Sequence, residues 1–148
     1  DVYTRQALAP LAWCSGRVQV VAELPAEPLL AQADQARLAQ ILTNLLRNGI
    51  RHTPPGGIVA ASACHEAGSV RIDVRDTGQG IDQDDLPRIW DRFYRGRPPA
   101  HAGRGGAGLG LTLVKELAEA MGGKVAVDSL PGQGSCFRVW LPQACLPD

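Results

Sequence analysis

Neither sign of charge predominates in this sequence: fifteen Lys and Arg stand against fifteen Asp and Glu, and the formal net charge is zero. A balanced chain sets up no global field to gather nucleic acid or an anionic membrane surface, so any anion it binds must be held by a local site. No apolar run approaches the roughly 18 residues that a membrane-crossing helix needs, and no basic-then-apolar leader opens the chain. Cysteine is sparse and scattered. Cys14, Cys64, Cys136 and Cys145 form no C-x-x-C pair, which argues against metal or redox use and suits a reducing cytoplasm. There is no internal repeat and no second domain. With 148 residues, 45% of them hydrophobic, one compact domain over 1–148 with an ordinary core is expected. The first residue is Asp1 rather than Met and the pattern is already under way, so the sequence reads as a piece of a longer protein.

The pattern along the chain mixes helices and strands. Residues 3–13 suit a short helix, weakened by Pro10. Residues 18–24 read as a strand closed by Pro25, and 28–32 as a second extended piece. Asp34 suits an N-cap. From Gln35 to about His52, Leu38, Ile41, Leu42, Leu45, Leu46 and Ile50 recur at helical spacing. Thr53-Pro54-Pro55-Gly56-Gly57 ends that helix. Strands follow at 58–64 and 69–76, joined by a turn at Glu66-Ala67-Gly68; in the second, Val70, Ile72 and Val74 alternate with Arg71, Asp73 and Arg75. A short helix is predicted around Leu86, Ile89, Trp90 and Phe93, then a mobile loop, rich in Gly, Pro and Arg, over 95–106. Gly108 opens another helix with Leu109, Leu113, Leu117 and Ala120 on one side, and Gly122-Gly123 stops it. A hairpin of 124–129 and 135–141 closes the chain. This order predicts an α/β two-layer sandwich: a mixed, mostly antiparallel sheet with helices on one face.

Three polar features stand out. On the helix from Gln35, the residues Gln40, Asn44, Asn48 and Arg51/His52 share one face, opposite the apolar stripe. Amide oxygens are hard neutral ligands that suit Mg²⁺, and a cation one turn on would meet phosphates. Two asparagines decorating a solvated helix read as well from this helix alone, although Asn is a poor interior helix residue. Asp76 stands in phase with Val70, Ile72 and Val74, so it points to the buried side, where a carboxylate needs a hydrogen-bond donor. Thr77-Gly78-Gln79-Gly80-Ile81 follows, with glycines that admit a flat ligand such as adenine; an aspartate in an ordinary strand-end turn is the alternative. Third, Gly103-Arg104-Gly105-Gly106-Ala107-Gly108-Leu109-Gly110 leads into a helix whose N-terminus would cradle phosphate. Gly103, Gly105 and Gly108 match the dinucleotide fingerprint, but residues 96–102 (GRPPAHA) cannot be the strand which that motif requires, and no Walker motif exists.

Taken together in order and spacing, these segments resemble the catalytic domain of two-component sensor histidine kinases, within the Bergerat-type ATP-binding family shared with gyrase, MutL and heat-shock chaperone ATPases. The resemblance is carried by Asn44-Leu45-Leu46-Arg47-Asn48-Gly49-Ile50-Arg51-His52-Thr53, Asp76-Thr77-Gly78-Gln79-Gly80-Ile81, Phe93-Tyr94-Arg95, Gly106-Ala107-Gly108-Leu109-Gly110-Leu111 and Pro131-Gly132-Gln133-Gly134-Ser135-Cys136-Phe137. It implies ATP and Mg²⁺ as ligands. Asn48 would coordinate the metal, supported by Asn44. Arg51, where the family usually has Lys, would contact phosphate, and His52 would pack near adenine. Asp76 would bind the adenine amine, with Gly78, Gly80 and Ile81 lining the base pocket. Phe93 and Tyr94 would anchor the loop, Arg95 would reach the γ-phosphate, and Gly106, Gly108, Leu109 and Gly110 would hold the phosphate chain. Residues 96–106 would form the ATP lid. Arg51 and Arg95 would be the catalytic pair. Gly49 replaces the commoner Ala.

A kinase of this kind needs a phosphoacceptor histidine, and none of His52, His65 and His101 lies in a suitable motif. The expected partners are therefore ATP or ADP, a separate dimerisation and histidine phosphotransfer domain of the same kinase, and a response regulator downstream, with no nucleic acid and no direct membrane contact. The expected location is the cytoplasm. An ATPase switch of the gyrase or MutL type is the main alternative. It places a glutamate on this helix where Gln40 stands, and a neutral amide cannot take the proton of an attacking water. A nucleotide-binding pseudokinase and a serine kinase acting on an anti-sigma antagonist are the others.

Overall fold

The computed structural model describes residues 18–23, 31, 33–91 and 110–143. Within them, strand β1 (Gln19–Glu23) is followed by helix α1 (Gln35–His52), strands β2 (Ile58–Glu66) and β3 (Ser69–Asp76), a 3-10 turn (Leu86–Arg88), helix α2 (Gly110–Ala120), and strands β4 (Lys124–Leu130) and β5 (Gly134–Pro142). The sheet order is β1-β2-β3-β5-β4. Among these described strands only the β1–β2 pair is parallel; the other three ladders are antiparallel. The last strand therefore lies inside the sheet, between β3 and β4. The expected mixed sheet with helices on one face is the architecture found.

Local chemistry sets the limits of α1. Asp34 is extended (φ −73°, ψ 127°), and its carboxylate accepts from the Arg37 N–H at 3.1 Å, which satisfies one of the orphan donors of the first turn. At the other end Thr53 is extended (φ −103°, ψ 123°), as a residue before proline must be. Its buried hydroxyl donates to the Gly49 carbonyl at 2.6 Å, so a carbonyl that the ending helix would orphan is satisfied.

The core lies between the helices and one face of the sheet. Leu38, Ile41, Leu42, Leu45 and Leu46 of α1 and Val114 and Ala118 of α2 meet Val59, Ala61, Val70, Ile72, Val74, Phe137, Val139 and Leu141 of the central strands. Alternation on β3 and β5 sends every second residue to the opposite face, where an ion-pair ladder runs from Glu66 through Arg71, Asp73 and Arg138 to Asp128.

Two expectations are corrected. The helix predicted around Leu86, Ile89 and Trp90 is a single 3-10 turn ending at Arg88. Pro87 sits in that turn, where its missing N–H is harmless, and the bonds that follow, such as Asp91 N–H to Arg88 O at 3.0 Å, close three-residue turns. Ile89 still packs into the core, and Trp90 meets Phe137 edge to face at 5.9 Å. On α2 the buried positions are Val114 and Ala118, with Leu111, Leu117 and Met121 packed beside them, while Ala120 is exposed. The predicted stripe through Leu113, Leu117 and Ala120 is one residue out of phase. The predicted helix over 3–13, the extended piece at 28–32 except for Ala31, which forms an isolated bridge with Gln143, and Leu109 all lie outside the described residues.

Candidate functional site

Asn44 and Asn48 lie on the half-buried flank of α1, clear of its core stripe. The Asn44 amide nitrogen donates to the Gly110 carbonyl at 3.4 Å, so the polar flank of α1 touches the first turn of α2. Arg51 and His52 occupy the last turn of the same helix and are also half-buried. Asn44 and His52 are separated by eight residues, about 12 Å along the helix axis at 1.5 Å per residue.

Asp76 stands beside the C-terminal half of that helix, next to Gly49. It is 4% exposed, on the core side of β3. Its carboxylate accepts from the Gly78 N–H at 2.9 Å and also from the Ser135 N–H, the residue opposite it on β5. Burial pushes the Asp76 carboxyl above the usual carboxylate range, and these two backbone donors oppose the rise only in part. A carboxylate in so dry a place gains from a further donor.

The glycines after Asp76 have a cause that the sequence did not suggest. A Cβ on Gly78 would lie 2.3 Å from the His52 carbonyl oxygen and 2.8 Å from the Asp76 carboxylate. Gly80 has φ +74°, and a Cβ there would lie 2.0 Å from the Leu130 carbonyl oxygen. What a side chain would strike is the protein's own backbone. The loop is pressed between the end of α1 and the turn of the β4–β5 hairpin, and glycine is what lets three segments meet. Gly49 acts similarly: its missing Cβ would sit 3.1 Å from Val59 Cγ1 and 3.7 Å from Asp76 Cβ, so α1 crosses the sheet close beside the aspartate.

Hydrogen bonds hold the loop on both sides. The Gln79 N–H donates to the His52 carbonyl at 3.3 Å, and the Gln79 amide meets His52 Nδ1 at 3.5 Å. The Thr77 N–H donates to the Ile58 carbonyl, and the Ile58 N–H to the Thr77 hydroxyl at 2.9 Å. From the hairpin, the Gly132 N–H donates to the Gln79 carbonyl at 2.7 Å, and the Ile81 N–H donates to the Ser129 hydroxyl at 2.7 Å. Thr77 and Ser129 were not among the sequence-predicted site residues. Thr77 stood inside a quoted motif without a role, and Ser129 carried no sequence signal at all.

The structure thus brings Asn44 to Gly110, and His52, Asp76, Gly78, Gly80 and Ile81 to one loop, with Asn48 and Arg51 on the helix between the two groups. Phe93, Tyr94, Arg95, Gly106, Gly108, Leu109 and the lid over 96–106 lie outside the described residues. Among the described residues no group of three or more His, Cys, Asp or Glu is placed to hold a metal. The donor set on α1 is instead a pair of neutral carboxamides beside a helix N-terminus. That chemistry fits Mg²⁺ shared with the phosphates of a ligand, since this ion keeps waters and takes few protein oxygens. No described helix is long and apolar enough to cross a membrane.

Comparison with known proteins bears on this arrangement. A family model described as "Histidine kinase-, DNA gyrase B-, and HSP90-like ATPase" matches residues 33–144. The sensor protein DivL of Caulobacter vibrioides is 46% identical over 132 residues, which are 89% of this chain and 16% of that protein. The sensor histidine kinase WalK of Bacillus subtilis is 35% identical over 127 residues, 84% of this chain and 21% of the relative. The chain therefore spans about a fifth or less of the length of these relatives. A crystal structure of full-length ShkA in complex with AMPPNP is similar at TM-score 0.80 and 32% identity, covering 100% of this chain and 31% of that one.

Proposed function

This chain belongs to the family of histidine kinase-, DNA gyrase B- and HSP90-like ATPases, and from that premise we propose that it binds Mg-ATP and passes the γ-phosphoryl group to a histidine on a separate dimerisation and phosphotransfer domain of its parent sensor kinase. The phosphoryl group then goes on to a response regulator. The domain works in the cytoplasm, where ATP is. The observation that carries this reading is the buried Asp76 carboxylate, set at the end of β3 beside Gly49, five residues or about 7.5 Å along α1 from Asn44 and its contact with Gly110. One end of that span recognises a base and the other receives phosphates.

Asp76 accepts a hydrogen bond from the exocyclic amine of adenine, which adds a third donor to those of Gly78 and Ser135 at the dry carboxylate. The backbone of Gly78, Gly80 and Ile81 forms one wall of the base site, and His52 packs at its edge. Asn44 and Asn48 turn amide oxygens toward the metal and phosphates, and Arg51 supplies positive charge beside them. Mg²⁺, when bound, neutralises and orients the phosphate oxygens. The first turn of α2 contributes its N–H groups, together with Gly106, Gly108 and Leu109 upstream. The resemblance to sensor histidine kinases assigns Arg95, with Phe93 and Tyr94 beside it in sequence, to the γ-phosphate and residues 96–106 to a lid that would exclude water; these lie outside the described residues. Phosphoryl transfer needs little covalent chemistry from the protein beyond such positioning and charge. In support, sequence relatives carry the name sensor histidine kinase, and ShkA, 32% identical, was crystallised with AMPPNP.

The exposed Gln40 lies where an ATPase switch would need a glutamate. Incubating the chain with the histidine-bearing domain of its parent and labelled ATP separates the readings. Acid-labile label on a histidine is expected. Steady phosphate release with no label on protein would overturn the kinase reading in favour of an ATPase.

A further inference from the structure

We infer that Ser129 is a positioning residue for the base end of the site: its hydroxyl fixes the Gly80–Ile81 backbone against the β4–β5 hairpin and so sets the wall on which adenine lies. The inference rests on the nucleotide reading above and deepens it. Ser129 is the next-to-last residue of β4, directly opposite Ser135 in the ladder. Its Oγ accepts from the Ile81 N–H at 2.7 Å, and it also stands 2.7 Å from the Ser135 Oγ and 3.0 Å from the Gly134 carbonyl oxygen. A hydroxyl has one proton and two lone pairs. Whether its proton goes to Gly134 or to Ser135, one lone pair remains for Ile81.

The Ile81 N–H lies beyond the last ladder bond of β3, so no strand partner takes it, and Ile81 packs against the core. Ser129 is thus its acceptor in a place with little water. Two further bonds complete the clasp. The Gln83 side-chain amide donates to the Ser129 carbonyl at 3.0 Å, and the Gly132 N–H donates to the Gln79 carbonyl at 2.7 Å. Gln79 and Ile81 flank Gly80, whose φ of +74° is the unusual conformation of this loop. With the residue on each side held by the hairpin, the Gly80 turn cannot relax independently of it. Ser129 also holds one side of Ser135, whose N–H supports the Asp76 carboxylate.

The test is calorimetric titration of ADP and of adenosine, with and without Mg²⁺, into the wild type, Ser129→Ala, and the isosteric pair Ser129→Thr and Ser129→Val, which differ by hydroxyl against methyl. Thermal melts establish that each variant is folded. Loss of one partly buried hydrogen bond predicts about three- to tenfold weaker binding by the Ala and Val variants. The loss should be equal for ADP and adenosine and leave the Mg²⁺-dependent gain in ADP affinity unchanged; Ser129→Thr should stay within about twofold of wild type by the same reasoning. The Ile81 amide proton should lose its hydrogen-bonded shift in Ala and Val and keep it in Thr. A folded Ser129→Ala or Ser129→Val that binds as the wild type does, or a Thr variant as weak as Val, overturns the inference. A wild type that binds neither ligand overturns the nucleotide reading and this inference with it.

Discussion

Replacing Asp76 with asparagine separates recognition from stability at a single atom. In the wild type one carboxylate oxygen accepts from the Gly78 N–H at 2.9 Å, and the Ser135 N–H donates to the same group. The carboxamide of the Asp76→Asn variant offers one oxygen and one NH₂. If the oxygen stays with Gly78, the NH₂ faces the adenine amine, donor against donor. If the amide flips, the NH₂ faces the Gly78 N–H instead. Either way a donor is unmet, at about 1–3 kcal/mol, and a charge-assisted bond of about 1.5–3 kcal/mol is gone. Together these predict a loss of about two to four decades in ADP affinity, measured by calorimetry with Mg²⁺. Stability moves differently. Burial raises the folded-state pKa of Asp76 above its unfolded value, so between those two values the folded state binds more protons. Stability therefore falls as pH rises through that window, and the penalty is fully present above the raised pKa. Asp76→Asn lacks this component, so its melting temperature should not show the fall expected of the wild type as pH rises from the ordinary aspartate range. Folded Asp76→Asn that binds ADP within about threefold of wild type, by the same titration, would refute the assignment of Asp76 to the base.

Further outcomes are expected. Gly80→Ala must hold φ +74° and place a Cβ 2.0 Å from the Leu130 carbonyl oxygen; it should lose about 2–4 kcal/mol of stability in denaturant melts together with ADP binding. Gly56→Ala, at φ +90° with nothing within 4 Å of its Cβ, should lose only the conformational term of about 1–2 kcal/mol and keep ADP affinity. Asn48→Ala should abolish the difference between ADP affinities measured with Mg²⁺ and with chelator, and an unchanged difference would remove Asn48 from the metal. Arg95→Ala should spare ADP binding and slow transfer to the histidine-bearing domain, and equal loss of both would end its γ-phosphate role.

What could be read in the sequence was what neighbours along the chain decide. Helix α1 follows from an aspartate cap, a periodic leucine stripe and a prolyl stop, and β3 from alternation alone; both stand where they were expected. The core-facing placement of Asp76 came from the same alternation. The errors arose where distant packing chooses among local options. Leu86, Ile89 and Phe93 imitate a helical stripe, yet only one 3-10 turn forms before Ile89 packs into the core. On α2 two apolar stripes compete, and the smaller Val114 and Ala118 won the buried side, where α2 lies beside α1 and its Asn44–Gly110 contact. The part played by Ser129 was invisible because its partners, Ile81 and Ser135, are joined to it only by the folded hairpin.

Strand order has a consequence for how the molecule comes into being. Because β5 enters between β3 and β4, a nascent chain that has emerged only as far as Leu130 has an unsatisfied edge on β3, an orphan β4, and no Ser135 amide for Asp76. The proposed base end is incomplete before β5 has been made, and that is when pairings of high sequence separation must form, which are slow. Until then the incomplete sheet exposes two edges open to foreign strands. On the function proposed above, the nucleotide site is complete only once this last described strand has joined the sheet.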